Sequence, residues 1–248
     1  MSFLKRLLRM PGACTRDLFD LPPPAQPPPV GLVRFGDLRR LTPIDAIFGW
    51  TRGEPVDRYY IKKFLARHQE CIRGHTMEVG QDDYTRQFGK DRVKKIDVLH
   101  VVEGNPKATL VADLSNAPNL PADTFDCVVI TQTLQFIYEL KAAIATLHRI
   151  LKPGGAVLAT FSGISHISHH DPTESWDDYW CWHLTQLSAR RLFGESFAQS
   201  EITVEAFGNV LAAVAFLHGL ATHELRPEEL DHRDIDYDLL IGVKAIKR

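Results

Sequence analysis

The chain has 248 residues, 44% of them hydrophobic, and a formal net charge of −2. That size and apolar content build a globular domain with a substantial core, and a near-neutral balance with scattered Lys and Arg excludes a basic field for nucleic acid. No run of about 18 apolar residues exists to span a bilayer, and cysteines at 14, 71, 127 and 181 form no CxxC pair or zinc spacing, as expected of reduced thiols in a cytoplasmic protein.

The N-terminus, MSFLKRLLRM, reads as a frayed basic segment or a short amphipathic helix for a membrane surface or partner. Six prolines between positions 22 and 29 follow. They form a polyproline-type strap, because proline fixes φ and removes donors. A boundary near residue 30 separates this segment, 1–30, from a mostly helical cover, 31–73, and a main domain, 74–248. Within the cover, VDRYYIKKFLARHQECI places Tyr60, Phe64 and Leu65 on one helical face, with Gly74 as the stop.

From residue 74 strands and helices alternate. HTMEVG, RVKKIDVLHVV, ATLVADL and FDCVVITQTL read as strands, the last a continuous apolar run suited to burial on both faces. YELKAAIATLHRILKPGG reads as a helix stopped by Pro153-Gly154-Gly155, and AVLATFSG as the fifth strand. SARRLFGESF is a helix with Ser188 as a possible N-cap, ITVEAFG a strand, NVLAAVAFLHGLA an apolar helix for the core or a dimer seam, and YDLLIGVKAIKR the last strand. The alternation implies an α/β fold: a Rossmann-like, doubly wound, mostly parallel seven-stranded sheet with helices on both faces and an antiparallel C-terminal strand.

Open parallel sheets bind ligands beyond the carboxyl ends of their strands. The turn after the first strand holds Glu78 and Gly80, Asp97 follows 19 residues after Glu78, and Asp113 ends the third strand. Each carboxylate alone can equally be a solvated loop residue. Together with LHRILKPGGAVLAT after FDCVVI, they resemble the class I S-adenosylmethionine-dependent methyltransferases, over roughly residues 74–162. The resemblance implies an S-adenosylmethionine cofactor, with Glu78 and Gly80 near its methionine part and Asp97 on the ribose. It also implies Asp113 and Leu114 at the adenine, and Thr131 and Gln132 beside the transferred methyl group.

The pattern departs from the family after Gly80. Asp82, Asp83 and Tyr84 stand where small residues and a further glycine are usual. Aspartate tolerates left-handed geometry, and Tyr84 and Thr85 can offer hydroxyls to the amino-acid end of the cofactor. The turn is thus a specialised cofactor loop or the remnant of a lost one. The segment between Asp97 and Asp113 is also too short for the usual helix.

Methylation of a hydroxyl needs a base, and histidine is the best-tuned side chain for it. The loop after the fifth strand offers His166, His169, His170 and Asp171. A polar lid is the plain alternative, and adjacent histidines suit a metal poorly, so no metal is expected. Trp176 and Trp180 suit stacking on a sugar, or simply anchor the loop. FGWTRGEPVDRYYIKKFL resembles the N-terminal cover of a bacterial methyltransferase subgroup that accompanies sugar-processing enzymes. That implies Arg52 on the cofactor carboxylate, with Tyr59 or Tyr60 closing over the site. The expected activity is O-methylation of a small-molecule or carbohydrate hydroxyl. N-methylation of an amine and a non-catalytic interaction module are the alternatives. No nucleic acid and no membrane span are expected, and a homodimer is possible.

Overall fold

The computed structural model describes residues 26–167 and 180–248. Expectations for residues 1–25, His169, His170, Asp171 and Trp176 fall outside the described residues. The chain divides into two compact units, Met1–Leu41 and Thr42–Arg248. The described part of the first holds one short 3-10 turn, Gly36–Leu38. The expected boundary near residue 30 falls inside this first unit, and the segment expected as a helical cover belongs to the second from Thr42 onward.

In the second unit seven strands form one sheet: β1 (Gly74–Val79), β2 (Val93–His100), β3 (Leu110–Val111), β4 (Phe125–Thr131), β5 (Leu151–Ser162), β6 (Ile202–Phe207) and β7 (Leu240–Ile246). Their spatial order is β3-β2-β1-β4-β5-β7-β6. The β1–β5 pairings are parallel, and β7 runs antiparallel to both β5 and β6. The strand order reverses beside β1, so the ligand edge of this doubly wound sheet lies at the ends of β1 and β4.

Apolar residues on both sheet faces create two cores. On one face α2 (Leu140–Ile150) and α3 (Gln186–Phe193) pack against Met77, Leu99, Val128, Ile130 and Val157. On the other, α1 (Val56–Arg67) and α4 (Val210–Leu217) cover Cys127, Val129 and Leu158. The fifth helix, α5 (Pro227–Asp231), adds Leu230 to that second core. Helix α1 follows its sequence period: Val56, Tyr60, Ile61, Phe64 and Leu65 are all buried. It ends at Arg67, five residues earlier than the pattern suggested. A 3-10 turn at Gln69–Cys71 intervenes, and Gly74, at φ +62°, opens β1 instead of closing the helix. A Cβ there would strike the Asp126 side chain, whose carboxylate accepts from the His75 amide at 2.7 Å.

One other local expectation is corrected. The cap of α3 is Thr185, whose hydroxyl accepts from the Ser188 amide at 3.2 Å, while Ser188 returns the contact from the third helical position. Helix α4 buries Ala212, Ala213, Ala215 and Phe216 in the core and leaves Val210, Leu211 and Leu217 exposed. It is capped by Asn209, which accepts from the Ala212 amide at 2.9 Å.

The connections β1–β2 and β2–β3 contain no α-helix. A π-helical turn at Thr85–Gly89 and a 3-10 turn at Lys90–Arg92 take up the first, and an irregular loop the second. Phe88 packs into the second core from this side, with Tyr84 and Val93 partly buried against it. Among the described residues, no helix is long and apolar enough to cross a membrane. Phe64 is fully buried between α1 and the sheet, so Phe64→Ala should destabilise the fold by about 3–5 kcal/mol through lost burial and a residual cavity. A denaturant titration measures this.

Candidate active site

The turn after β1 is organised by Glu78. Its carboxylate is 4% exposed and accepts from the backbone amides of Tyr84, at 3.2 Å, and Thr85, at 2.7 Å. Burial pushes its pKa up to about 7, against the lowering effect of those hydrogen bonds. Gly80 sits at φ +86°, and a Cβ added there would meet open space. Glycine is thus required by conformation and leaves room in front of the turn. The Gly80 amide is committed to the Leu99 carbonyl at 2.9 Å, and the Gly80 carbonyl accepts from the Asn105 side chain at 2.7 Å. Asp82 bonds Arg86 at 2.5 Å and Lys107 at 3.2 Å, while Lys107 also reaches Asp83 at 3.3 Å. The turn therefore keeps its shape through side chains where a glycine-rich loop would rely on backbone freedom.

The expected convergence of three carboxylates does not form. Asp97 lies inside β2, paired with Met77, whereas Glu78 pairs with Val98. Residues paired across parallel strands share a face, so Glu78 and Asp97 point to opposite sides of the sheet. Asp97 accepts from Thr109 at 2.9 Å and contacts His75 at 2.6 Å and Lys95 at 3.0 Å. Burial alone would raise its pKa, but these partners hold it below the ordinary carboxylate value. Asp97 is a structural anchor, and the tip of β2 is His100. Asp113 stands exposed beyond the short β3, accepting from the Ser115 amide at 2.8 Å, and Leu114 is buried in the first core.

The cover residues also depart from expectation. Arg52 pairs with Glu224, and the Tyr59 hydroxyl donates to Asp231 at 2.6 Å, both away from the β1 turn. Tyr60 is 1% exposed and donates to the Leu230 carbonyl at 2.9 Å, so it belongs to the core. The arginine that does reach the turn is Arg58, one helical position before Tyr59. Its guanidinium lies 5.7 Å from the Trp50 ring and touches the Tyr84 side chain. Its Nε is buried and unpartnered, as are Asp57 Oδ1 and Thr85 Oγ1. No signal in the sequence separated Arg58 from Arg52. The fold does so: Arg52 lies ahead of α1 and pairs with Glu224, whereas Arg58 lies on the first turn of the helix.

A second group sits over β4 and β5. Gln132 follows Thr131 at the end of β4 in a left-handed conformation, φ +48°. Its side-chain oxygen accepts from Gln135 at 2.7 Å and Ser162 at 2.8 Å, leaving its Nε2 buried without a partner. A non-glycine residue held at positive φ stores strain and is often found at a functional site. Gln135 Oε1, His166 Nε2 and Trp180 Nε1 are likewise buried and unpartnered. Phe48 links them: its ring stacks on His166 at 3.8 Å and lies 6.4 Å from Trp180, which meets Phe136 edge-on at 5.1 Å.

Phe48 is placed by the chain before α1. Asp45 accepts from the Ile47 and Thr51 amides at 2.6 and 3.0 Å, and the Ile44 and Asp45 amides bond the His218 carbonyl at the end of α4. Buried polar groups normally find partners. So many orphaned atoms beside an aromatic slot at a sheet's ligand edge mark a place for a ligand. Two open clefts, of about 500 and 530 Å³, lie on either side of Arg86, lined by Ile96 and Lys90, Lys94 or Lys107; Thr85 lines the first, and neither is lined by Gln132, Gln135, His166 or Trp180. Among the described residues, no group of three His, Cys, Asp or Glu side chains is placed to hold a metal ion.

This sheet, with its β1 turn and its capped carboxyl edge, defines a class I S-adenosylmethionine-dependent methyltransferase fold. The chain carries a domain of that family: residues 71–159 match the family described as a methyltransferase domain. Curated relatives include the ubiquinone/menaquinone biosynthesis C-methyltransferase UbiE of Citrobacter koseri, 31% identical over 85 residues, 34% of this chain and 32% of the relative. The UbiE of Escherichia fergusonii is 32% identical over 72 residues, 29% of this chain and 26% of the relative. The chain thus spans about a third or less of the curated relatives it matches. Among solved structures, phosphoethanolamine N-methyltransferase 2 of Haemonchus contortus is 16% identical over 75% of this chain and 52% of its own, with a TM-score of 0.48. A methyltransferase of Archaeoglobus fulgidus is 12% identical over 77% and 94%, with a TM-score of 0.49. Likenesses at that level say nothing of chemistry.

The raised pKa of Glu78 has a thermodynamic consequence. A group that binds its proton more tightly when folded gives stability that is full below its unfolded value of 4.5 and is lost as pH rises through about 7. Between those pH values, Glu78→Gln should remove part of the fall in stability seen in the wild type. Denaturant midpoints at both ends of the window measure the difference.

Proposed function

We propose that the chain is an S-adenosylmethionine-dependent methyltransferase acting on an oxygen-bearing, planar small molecule. The observation that carries the reading is the set of orphaned polar atoms on Gln132, Gln135, His166 and Trp180 beside the Phe48 ring. When bound, S-adenosylmethionine supplies an electrophilic methyl group. Open space in front of Gly80 and the polar atoms of Asp57, Arg58 and Thr85 suit its amino-acid end.

The chain's own part is to orient the acceptor and take up a proton. Gln132 Nε2 and Trp180 Nε1 can only donate, so they favour acceptor oxygens. His166 Nδ1 lies 3.2 Å from the Ile167 carbonyl, which can only accept. That contact keeps the proton on Nδ1 and leaves Nε2 with its lone pair free to receive the proton of an acceptor hydroxyl. His166 is therefore the general base of choice among the loop histidines.

O-methylation of a hydroxyl is the first reading. C-methylation of a phenol-like ring is the second, suggested by the activity named for the UbiE relatives. It would use the same base to generate the ring anion. The carbohydrate reading rests on Trp176 and Trp180. Trp180 is already engaged by Phe48, Phe136 and His183, which leaves a planar acceptor better supported than a sugar.

S-adenosylhomocysteine at about one hundred times its Kd should raise stability by about 2.7 kcal/mol. Absence of both a thermal shift and calorimetric heat at millimolar ligand would favour the non-catalytic interaction module instead. His166→Ala should lower turnover by about 10² while leaving cofactor affinity intact. Full turnover in that variant sinks the base assignment. Mass spectrometry of the product, with the methyl group located on oxygen or carbon, separates the two methylation readings.

A further inference from the structure

The β1 turn presents a problem for any ligand with an amino-acid end. Its polar groups are mostly taken up within the protein: the Gly80 amide by Leu99, the Gly80 carbonyl by Asn105, and the Tyr84 and Thr85 amides by Glu78. The carboxylates of Asp82 and Asp83 are held by Arg86 and Lys107. A carboxylate arriving in front of Gly80 meets few free backbone donors and two acidic side chains.

The opposite wall, at the start of α1, offers what the turn lacks. Asp57 is 6% exposed and its Oδ1 is buried without a hydrogen-bond partner. Arg58 Nε is buried and unpartnered too, and the two atoms lie 3.8 Å apart, too far for a hydrogen bond. Tyr84 joins the pair from the turn itself, its side chain against the Arg58 guanidinium. Thr85, fully buried beside it, has a third orphaned atom in Oγ1. Buried polar atoms without partners are costly, and here a donor-only cation, paired loosely with its neighbour, stands next to an acceptor-only anion. A zwitterion with one carboxylate and one ammonium would satisfy both at once.

We propose that Asp57 and Arg58, helped by the Tyr84 hydroxyl, receive the zwitterionic amino-acid end of the cofactor, Arg58 its carboxylate and Asp57 its ammonium. The assignment rests on the cofactor reading above and deepens it. Arg58 takes the role that sequence resemblance placed on Arg52. The grip comes from the helix before β1 because the glycine-poor turn holds its own amides.

The test compares two ligands on the full chain by calorimetry. S-adenosylhomocysteine carries the amino-acid end, and 5′-methylthioadenosine lacks it. The double variant Asp57→Asn/Arg58→Gln removes both charges together and keeps a polar side chain at each position. It should lose S-adenosylhomocysteine affinity by about 10- to 100-fold, the worth of hydrogen bonds to charged groups. Affinity for 5′-methylthioadenosine should not change. Tyr84→Phe removes a single hydroxyl and should show the same selectivity at about 2- to 10-fold.

Equal loss for both ligands means that the pair merely supports the fold, and overturns the proposal. So does undiminished S-adenosylhomocysteine binding in both variants, or a wild type that binds the two ligands equally well. Those results leave the methyltransferase reading standing. A wild type that binds neither ligand overturns both.

Discussion

A buried carboxylate at the end of a central strand sets the geometry of everything around the ligand edge. Glu78 is out of water and holds two backbone amides of the segment that follows. Those bonds fold residues 80–85 back over the strand end and bring Tyr84 toward α1. The carboxylate is expensive to bury, as its raised pKa shows. It persists because removing it would orphan the Tyr84 and Thr85 amides. The turn thus has a fixed shape without the flexible glycines that usually permit one, and loses free backbone donors in consequence.

The same exchange recurs around the edge. Where a helix between β2 and β3 would ordinarily cover the sheet, the chain uses a loop pinned by Asn105 to Gly80 and by Lys107 to Asp82 and Asp83. Over β4 and β5, Phe48 reaches in from the segment before α1 and stacks on His166. That segment is anchored in turn: Thr222 bonds Glu54, Gly49 packs on the Leu220 carbonyl, and Pro55 bridges Ala221. The residues before α1 are therefore structural partners of the C-terminal half, and the candidate acceptor slot exists only because the two meet.

Electrostatics sort the polar residues into two groups. Asp97, Asp126 and Glu205 have partners that hold their pKa values low, and they tie strands and loops together. Asp57, Arg58, Thr85, Gln132, Gln135, His166 and Trp180 keep buried atoms without partners, and they gather at the ligand edge. Satisfied groups stabilise, and unsatisfied ones await something to bind. Asp97, suitably spaced from Glu78 along the chain, belongs to the first group: its carboxylate is engaged by His75, Lys95 and Thr109.

The sequence by itself determined the strand and helix alternation and the parallel sheet with an antiparallel last strand. Those follow from local periodicity, turn chemistry and spacing, which are properties of neighbouring residues. Only the tertiary structure decided that Asp97 faces away from Glu78, that Tyr60 is core, and that Arg58 and not Arg52 reaches the turn. The direction of Asp97 depends on the register of β2 against β1, where a single residue reverses the face. The choice of arginine depends on the path of the chain into α1: Arg52 lies ahead of the helix and pairs with Glu224, while Arg58 lies on its first turn. Neither quantity is carried by a one-dimensional pattern, because both are set by how distant apolar surfaces pack.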